Sequence, residues 1–190
     1  MKNPWDTFFE EKIKKILADK KQVIDIGGGL RIIKEKNNRY SEDREWLRSL
    51  LEKVDYKILD PVDTYHPDIV GDIHNLPFKN DSQEAIICIA VLEHVENPIK
   101  AFEEMYRVLK PGGYLYAYVP FLYYYHAENG YYGDFWRFTE DSLKFLARPF
   151  SQFELVSVRG AIGTWLKISP LGRYKWVEKL GIMLDIYSGK

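Results

Sequence analysis

The chain has one cysteine, Cys88, among its 190 residues, so no internal disulfide can hold it together. That suits a reducing compartment, and a cytoplasmic protein is expected. Cys88 also lies inside the apolar run from Ala85 to Ala90, where it reads as a small core residue and not as a nucleophile. No apolar stretch approaches the ~20 residues that span a bilayer, so no integral membrane segment is expected. Met1-Lys2-Asn3-Pro4-Trp5-Asp6 leads into a charged helical pattern instead of the apolar core of a signal peptide. Neither sign of charge dominates: 27 Lys and Arg against 28 Asp and Glu give a net charge of -1. A dedicated nucleic-acid binder would show a basic face, so no nucleic-acid partner is expected. No His, Asp and Glu set has metal-ligand spacing, and no metal is expected. Repeats and low-complexity linkers are missing too, which leaves one domain over residues 1–190.

What is present is an alternation of periods. Phe8, Phe9, Ile13, Ile16 and Leu17 recur at helical spacing and predict an opening helix. Gln22 to Ile26 is a short β-branched run closed by glycines, the pattern of a buried strand. A helix over Ser41–Lys53 follows, then strands at Tyr56–Leu59, Asp68–Val70 and Ala85–Ala90. The helix begun near Pro98 carries Ile99, Phe102, Met105, Tyr106 and Leu109 and stops at Lys110-Pro111-Gly112-Gly113. A fifth strand runs from Tyr114 to Val119. Further on, a helix is expected near Thr139–Ala147, strands near Phe153–Arg159 and Gly163–Ile168, and a last helix over about 171–187. Strands this apolar have no wet face, so the prediction is α/β: an open, mostly parallel sheet with helices on both faces. The two late strands would close its edge as a C-terminal antiparallel hairpin.

Ligands in such sheets bind beyond the carboxyl ends of the strands. The first strand ends in Asp25-Ile26-Gly27-Gly28-Gly29. Glycines let the backbone turn sharply and approach a ligand closely. A dinucleotide loop would want a sixth-position glycine where Ile32 stands, and a phosphate-cradling loop would need Gly-Lys-Ser/Thr, which is absent. A glycine triplet behind an acid suits a zwitterionic amino-acid tail better than a diphosphate, although alone it is as readily a plain tight turn. The second strand ends in Asp60-Pro61, where a carboxylate can accept from two ribose hydroxyls or simply start a turn. Asp72 and the Ile73 backbone N–H, after the third strand, can face an adenine edge. Three acids at three successive strand ends are hard to dismiss together.

Val23 to Gly29, Asp60, and Gly71-Asp72-Ile73-His74-Asn75-Leu76-Pro77-Phe78 resemble the class I S-adenosylmethionine (SAM)-dependent methyltransferases, whose fold is Rossmann-like. Val91-Leu92-Glu93-His94-Val95-Glu96-Asn97-Pro98 and Arg107-Val108-Leu109-Lys110-Pro111-Gly112-Gly113 resemble the type 11 branch in particular. The resemblance covers about residues 22–120. It implies that Asp25, Gly27, Gly28 and Gly29 hold the methionyl part of SAM, Asp60 with Pro61 the ribose, and Asp72 with Ile73 the adenine. It also implies that Ala90 and Val91 line the cofactor behind the sulfonium. Arg31 stands where the family has a third loop glycine, and can either crowd the cofactor tail or pair with its carboxylate.

Methyl transfer from a sulfonium asks the protein to align an acceptor and exclude water, with a base at hand for an oxygen acceptor. Eight of the fourteen tyrosines fall between Tyr114 and Tyr132. An aromatic lid over about 120–139 is expected, with Tyr124, Tyr125, Asp134, Trp136 and Arg137 as acceptor contacts. The alternative is that Asp134 and Arg137 pair with each other while Phe135, Trp136 and Phe138 pack inward. The run from His126 to Asp134-Phe135-Trp136-Arg137-Phe138-Thr139 resembles a type 11 subgroup associated with cell-surface sugars, which implies a sugar-like or phosphorylated small-molecule acceptor. His126 is the first candidate base and His94 the second, because imidazole titrates near neutrality; His66 and His74 read as loop residues. The segment from Lys167 to Lys190 is apolar on more than one helical face, so it docks on the domain, forms a homodimer or lies on a membrane surface, the last being least favoured. A catalytically silent SAM-binding or partner-binding module is the second reading of these residues.

Overall fold

The computed structural model describes residues 4–32 and 40–187; Met1-Lys2-Asn3, on which the signal-peptide reading also drew, lie outside them. Helix α1 (Pro4–Asp19) buries Phe9, Ile13, Ile16 and Leu17, the stripe its spacing predicts. Strands β1 (Gln22–Ile26), β2 (Asp55–Asp60), β3 (Ile69–Val70), β4 (Gln83–Ile89) and β5 (Leu109–Tyr118) form one sheet in the order β3-β2-β1-β4-β5. All four pairings are parallel. The order reverses between β1 and β4, which creates a crevice beyond their carboxyl ends.

Alternation along the strands divides the core into two layers. Val23, Ala85 and Ile87 pack with Phe9, Ile13, Leu47 and Leu51 on one face of the sheet. Ile24, Ile26, Ile86 and Cys88 pack on the other with Phe102, Met105 and Val108 of α3 (Pro98–Val108) and Leu146 of α4 (Glu140–Leu146). Helix α3 starts where Asn97 accepts from the Lys100 N–H at 3.0 Å and Pro98 needs no partner for its nitrogen. Thr139 caps α4 in the same way, accepting from Ser142 at 3.2 Å.

Several boundaries differ from the sequence reading. The stretch expected as a helix over Ser41–Lys53 is a 3-10 segment, Glu42–Leu47, followed by the short helix α2 (Arg48–Leu51). Ala90 falls outside β4, with φ at 53°, and turns the chain. Strand β5 starts at Leu109, taking in Pro111 and both following glycines. As an edge strand it has an unpaired side that tolerates proline, and its register against β4 shifts between Gln83 and Ala85.

The C-terminal antiparallel hairpin is not formed among the described residues. Gly163–Ile168 belongs to helix α5 (Ala161–Ile168), and Phe153–Arg159 joins no strand. The reason is tertiary. Asp185, on α6 (Lys175–Tyr187), accepts from the N–H groups of Gly160 at 2.7 Å, Ile162 at 3.1 Å and Gly163 at 3.1 Å. These are the orphan donors of a helix start, so α6 caps α5 from across the gap. The two helices cross where a Cβ on Gly181 would lie 2.8 Å from the Gly163 Cα. A 3-10 turn, Pro170–Arg173, joins them. No helix among the described residues is long and apolar enough to cross a membrane.

Candidate functional site

The loop after β1 is built around a carboxylate beneath it. Asp25 is fully buried, accepting from the Gly29 N–H at 3.0 Å, the Leu30 N–H at 2.9 Å and the Tyr56 hydroxyl at 2.6 Å. Burial first, and then the adjacent Asp25 charge, hold the Tyr56 phenol well above its ordinary pKa, so it remains a donor. Gly27 and Gly28 take φ of 76° and 62°, a region that favours glycine. A Cβ on Gly27 would meet Val91 Cγ2 at 2.5 Å, and one on Gly29 would meet Ile89 Cβ at 2.5 Å. The loop is therefore seated directly against the end of β4, across the switch point. The Gly27 N–H donates to the Leu59 carbonyl at 2.8 Å and ties the loop to the end of β2 as well.

Gly27, Gly28, Gly29, Arg31, Asp60, Pro61, Asp72, Ile73, Ala90 and Val91 all open into one cavity of about 1300 Å³. That exceeds the ~300–1000 Å³ typical of a site for one drug-sized ligand and leaves room for a cofactor and an acceptor together. Asp25 is not among the lining residues; it shapes the loop from below. Asp60 is buried, with Oδ1 accepting from the Val62 N–H at 2.9 Å. Asp72 accepts from the His74 N–H at 2.9 Å and touches the His74 ring nitrogen at 2.7 Å. His74, read from sequence as a loop residue, lines the cavity.

The segment 120–139, expected as a lid, contributes residues to the lining of this cavity and forms no regular strand. Its return is pinned by the Glu93 carbonyl, which accepts from the Phe135 and Trp136 N–H groups at 2.8 and 3.2 Å, and by Trp136 Nε1 donating to Val95 O at 2.9 Å. Inside it, Asp134 accepts from Arg137 Nη1 at 2.5 Å, from Nη2 at 2.8 Å and from the His126 N–H at 2.9 Å. Pairing with Arg137 first, against the pull of burial, holds the Asp134 carboxyl well below the usual range. Arg137 also donates to the carbonyls of Tyr123, Tyr124 and Trp136. The pair is a rivet of the lid, and neither partner lines the cavity. Tyr124, Tyr125 and Trp136 point away as well, with Tyr125 77% exposed. The acceptor contacts expected at these five positions thus lie on the lid's frame. Tyrosines that do line the cavity include Tyr123, Tyr131 and Tyr132 from the lid, with Tyr65 and Tyr118 from elsewhere in the chain.

His94 and His126 do meet in the cavity, their rings 4.8 Å apart edge to face. His94 Nδ1 lies 2.6 Å from the Gly133 carbonyl, and burial lowers the His94 pKa. His126 Nδ1 lies 3.0 Å from the Tyr124 carbonyl and 3.2 Å from Asp134 Oδ2. Beside them is a residue the sequence reading did not single out. Glu93 is buried, Oε1 lies 3.9 Å from His126 Nε2, and Oε2 has no hydrogen-bond partner. Burial pushes its carboxyl up to about 7. The only sequence signal was adjacency to His94.

Residues 41–117 match the family described as "Methyltransferase domain". The match covers less than half of the chain, and over that stretch the chain is similar to a methyltransferase domain. The cavity's donor set fits SAM: a glycine loop for the amino-acid tail, Asp60 for sugar hydroxyls, and the Ile73 segment for the base. A demethylmenaquinone methyltransferase of Paenarthrobacter aurescens is 51% identical over 47 residues, 25% of this chain and 19% of that protein. A probable tRNA methyltransferase 9B of Mus musculus is 48% identical over 54 residues, 27% of this chain and 12% of that protein. The matched part is thus a small fraction of each relative's length. A SAM-dependent methyltransferase from Aquifex aeolicus aligns in structure with a TM-score of 0.47 at 14% identity, over 74% of this chain and 77% of that one.

Proposed function

We propose that the protein transfers the methyl group of SAM to a hydroxyl oxygen of a small-molecule acceptor enclosed by the 120–139 lid. One observation carries this reading: the glycine-loop end and the Glu93, His94, His126 cluster open into the same cavity. Asp25 acts by shaping the loop. Gly27, Gly28 and Gly29 receive the methionyl part, Asp60 and Pro61 the ribose, Asp72 and Ile73 the adenine, and Ala90 and Val91 the region behind the sulfonium. The acceptor hydroxyl then meets the histidine cluster, where its proton is lost.

The relatives' names include a tRNA and a quinone methyltransferase. The net charge of -1 and the lid favour a small acceptor over a polymer. Arg31, Arg159 and Lys167 on the cavity wall favour a sugar-like compound carrying phosphate or carboxylate. The buried thiol of Cys88 fits a single cytoplasmic domain, and Trp165, Trp176 and Ile186, exposed on α5 and α6, offer a face to a second copy.

Calorimetry with S-adenosylhomocysteine tests the cofactor half, and labelled SAM with a panel of hydroxylated and phosphorylated acceptors tests the other. No binding of S-adenosylhomocysteine overturns the reading. Binding without turnover on any acceptor supports the second reading, a silent SAM-binding module, toward which the exposed left-handed Arg31 in the loop (φ 55°) points.

A further inference from the structure

We infer that Glu93, His94 and His126 form a binding site for one divalent transition-metal ion, placed to hold the acceptor's oxygen. The three residues come from two separate stretches, the turn after β4 and the lid, and the fold alone brings them together. Their ligand atoms all lie within 4.8 Å of one another. Two donors on a tetrahedral ion with bonds of about 2.1 Å sit roughly 3.4 Å apart, so the His126–Glu93 pair at 3.9 Å needs to close by about half an ångström and the widest pair by about 1.4 Å.

Three features distinguish this cluster from a chance meeting of polar side chains. The first is the state of the rings. A carbonyl can only accept, so the Gly133 carbonyl at 2.6 Å and the Tyr124 carbonyl at 3.0 Å put the protons of His94 and His126 on Nδ1. In the neutral form of each ring Nε2 is then the atom with the lone pair, and the Nε2 of His126 is the atom that faces Glu93. Asp134 backs His126 at 3.2 Å from Nδ1. Imidazoles oriented through their far nitrogen by a carbonyl or carboxylate are the usual outer support of metal ligands.

The second feature is Glu93 itself. Its side chain is 2% exposed, and Oε2 is buried without any hydrogen-bond partner. Buried carboxylate oxygens are almost always satisfied, and a bound cation satisfies this one. The third is the outlet. All three residues line the cavity, so an ion there keeps open positions toward the acceptor instead of being closed off as in a structural site. Two nitrogens and one carboxylate oxygen favour zinc, manganese, iron or cobalt over magnesium or calcium, which prefer all-oxygen surroundings.

The role of the ion rests on the methyl-transfer reading above; the existence of the site does not. An acceptor with neighbouring oxygens would bind through the open positions, and its hydroxyl would lose its proton to solvent more easily there. That oxygen forms a bond to the methyl carbon while the carbon–sulfur bond breaks, its electron pair staying on sulfur to give the neutral thioether. His94 and His126 then serve as ligands and not as bases.

The test uses the full chain, stripped with a chelator and titrated with cobalt(II) and with zinc, without SAM or acceptor. One ion per chain is expected, with visible cobalt absorption of a mixed nitrogen and oxygen site. Glu93→Gln and His126→Ala are each expected to weaken binding at least 100-fold while S-adenosylhomocysteine affinity changes less than threefold. His126 is partly exposed on the lid, so its variant serves if the buried Glu93 change impairs folding. No binding by the wild type, or binding that both variants retain, overturns the site. Methyl transfer that persists in excess chelator overturns the metal's role and leaves the methyltransferase reading standing.

Discussion

The Tyr56 hydroxyl donates to Asp25 Oδ2 at 2.6 Å, across the parallel pairing of β2 and β1, and through that carboxylate reaches the amides of Gly29 and Leu30. The proposed cofactor loop is therefore shaped by a residue outside it. Tyr56→Phe removes one charge-assisted bond and is expected to weaken S-adenosylhomocysteine binding about tenfold, ~1.5 kcal/mol. Asp25→Ala frees all three donors and should cost more than a hundredfold, with a lower melting temperature. Calorimetry on the two variants checks the order; equal affinity in Tyr56→Phe and wild type would disconnect the phenol from the loop.

Two glycines with similar φ separate site geometry from backbone strain. Gly27→Ala would bring a Cβ to 2.5 Å from Val91 Cγ2 at φ 76°, whereas Gly112, at φ 75°, has nothing within 4 Å. Both substitutions should cost ~1 kcal/mol for the left-handed backbone. Gly27→Ala should also abolish detectable cofactor binding, and Gly112→Ala should leave it unchanged. Denaturant melts paired with calorimetry separate these effects.

Much of this site is readable from residue order because strand ends are readable. A β-branched run closed by glycines, or by Asp-Pro, marks a strand and its end, and Gly27, Asp60 and Asp72 stand at such ends and line the cavity. What escapes is whatever depends on a partner far along the chain. Gly163–Ile168 has the apolar pattern of a strand, and only Asp185, 22 residues beyond Gly163, makes it a helix. Arg137 reads equally well as an anion ligand or as the partner of Asp134, and the lid's fold decides for Asp134. Glu93 looks like a surface acid until the lid folds over it.

Acid should reveal a second carboxylate. Glu104, nearly buried on α3, accepts from Arg107 Nη2 at 2.6 Å and from the Leu76 N–H at 3.0 Å. Pairing with Arg107 is the largest cause that holds its pKa at about 2, against 4.5 for a free glutamate. Because the folded value is depressed, its contribution is complete above pH 4.5 and is lost as pH falls toward 2. Glu104→Gln is expected to lose roughly 2–3 kcal/mol at pH 7 and to show a flatter stability profile across that acid window. Urea melts at a series of pH values measure both.

The lid meets the opposite wall where Tyr131 stacks on Tyr65, ring centroids 5.4 Å apart. Such pairs contribute ~0.5–1.5 kcal/mol, so Tyr131→Ala should raise the dissociation rate of S-adenosylhomocysteine roughly three- to tenfold. Stopped-flow displacement reads this directly. An unchanged rate would mean that the cofactor leaves by another route.

The hydrogen bonds at the Glu93 carbonyl carry one more consequence. The backbone carbonyl of this residue holds Phe135 and Trp136, while the same residue lines the cavity. Under the proposed reading, admission of an acceptor and preparation of the reacting oxygen would not be independent events in time. An opening of the 120–139 segment would release the residue that the proposed chemistry uses and a closure would reset it, so a turnover clock and a gate would share one hinge pin.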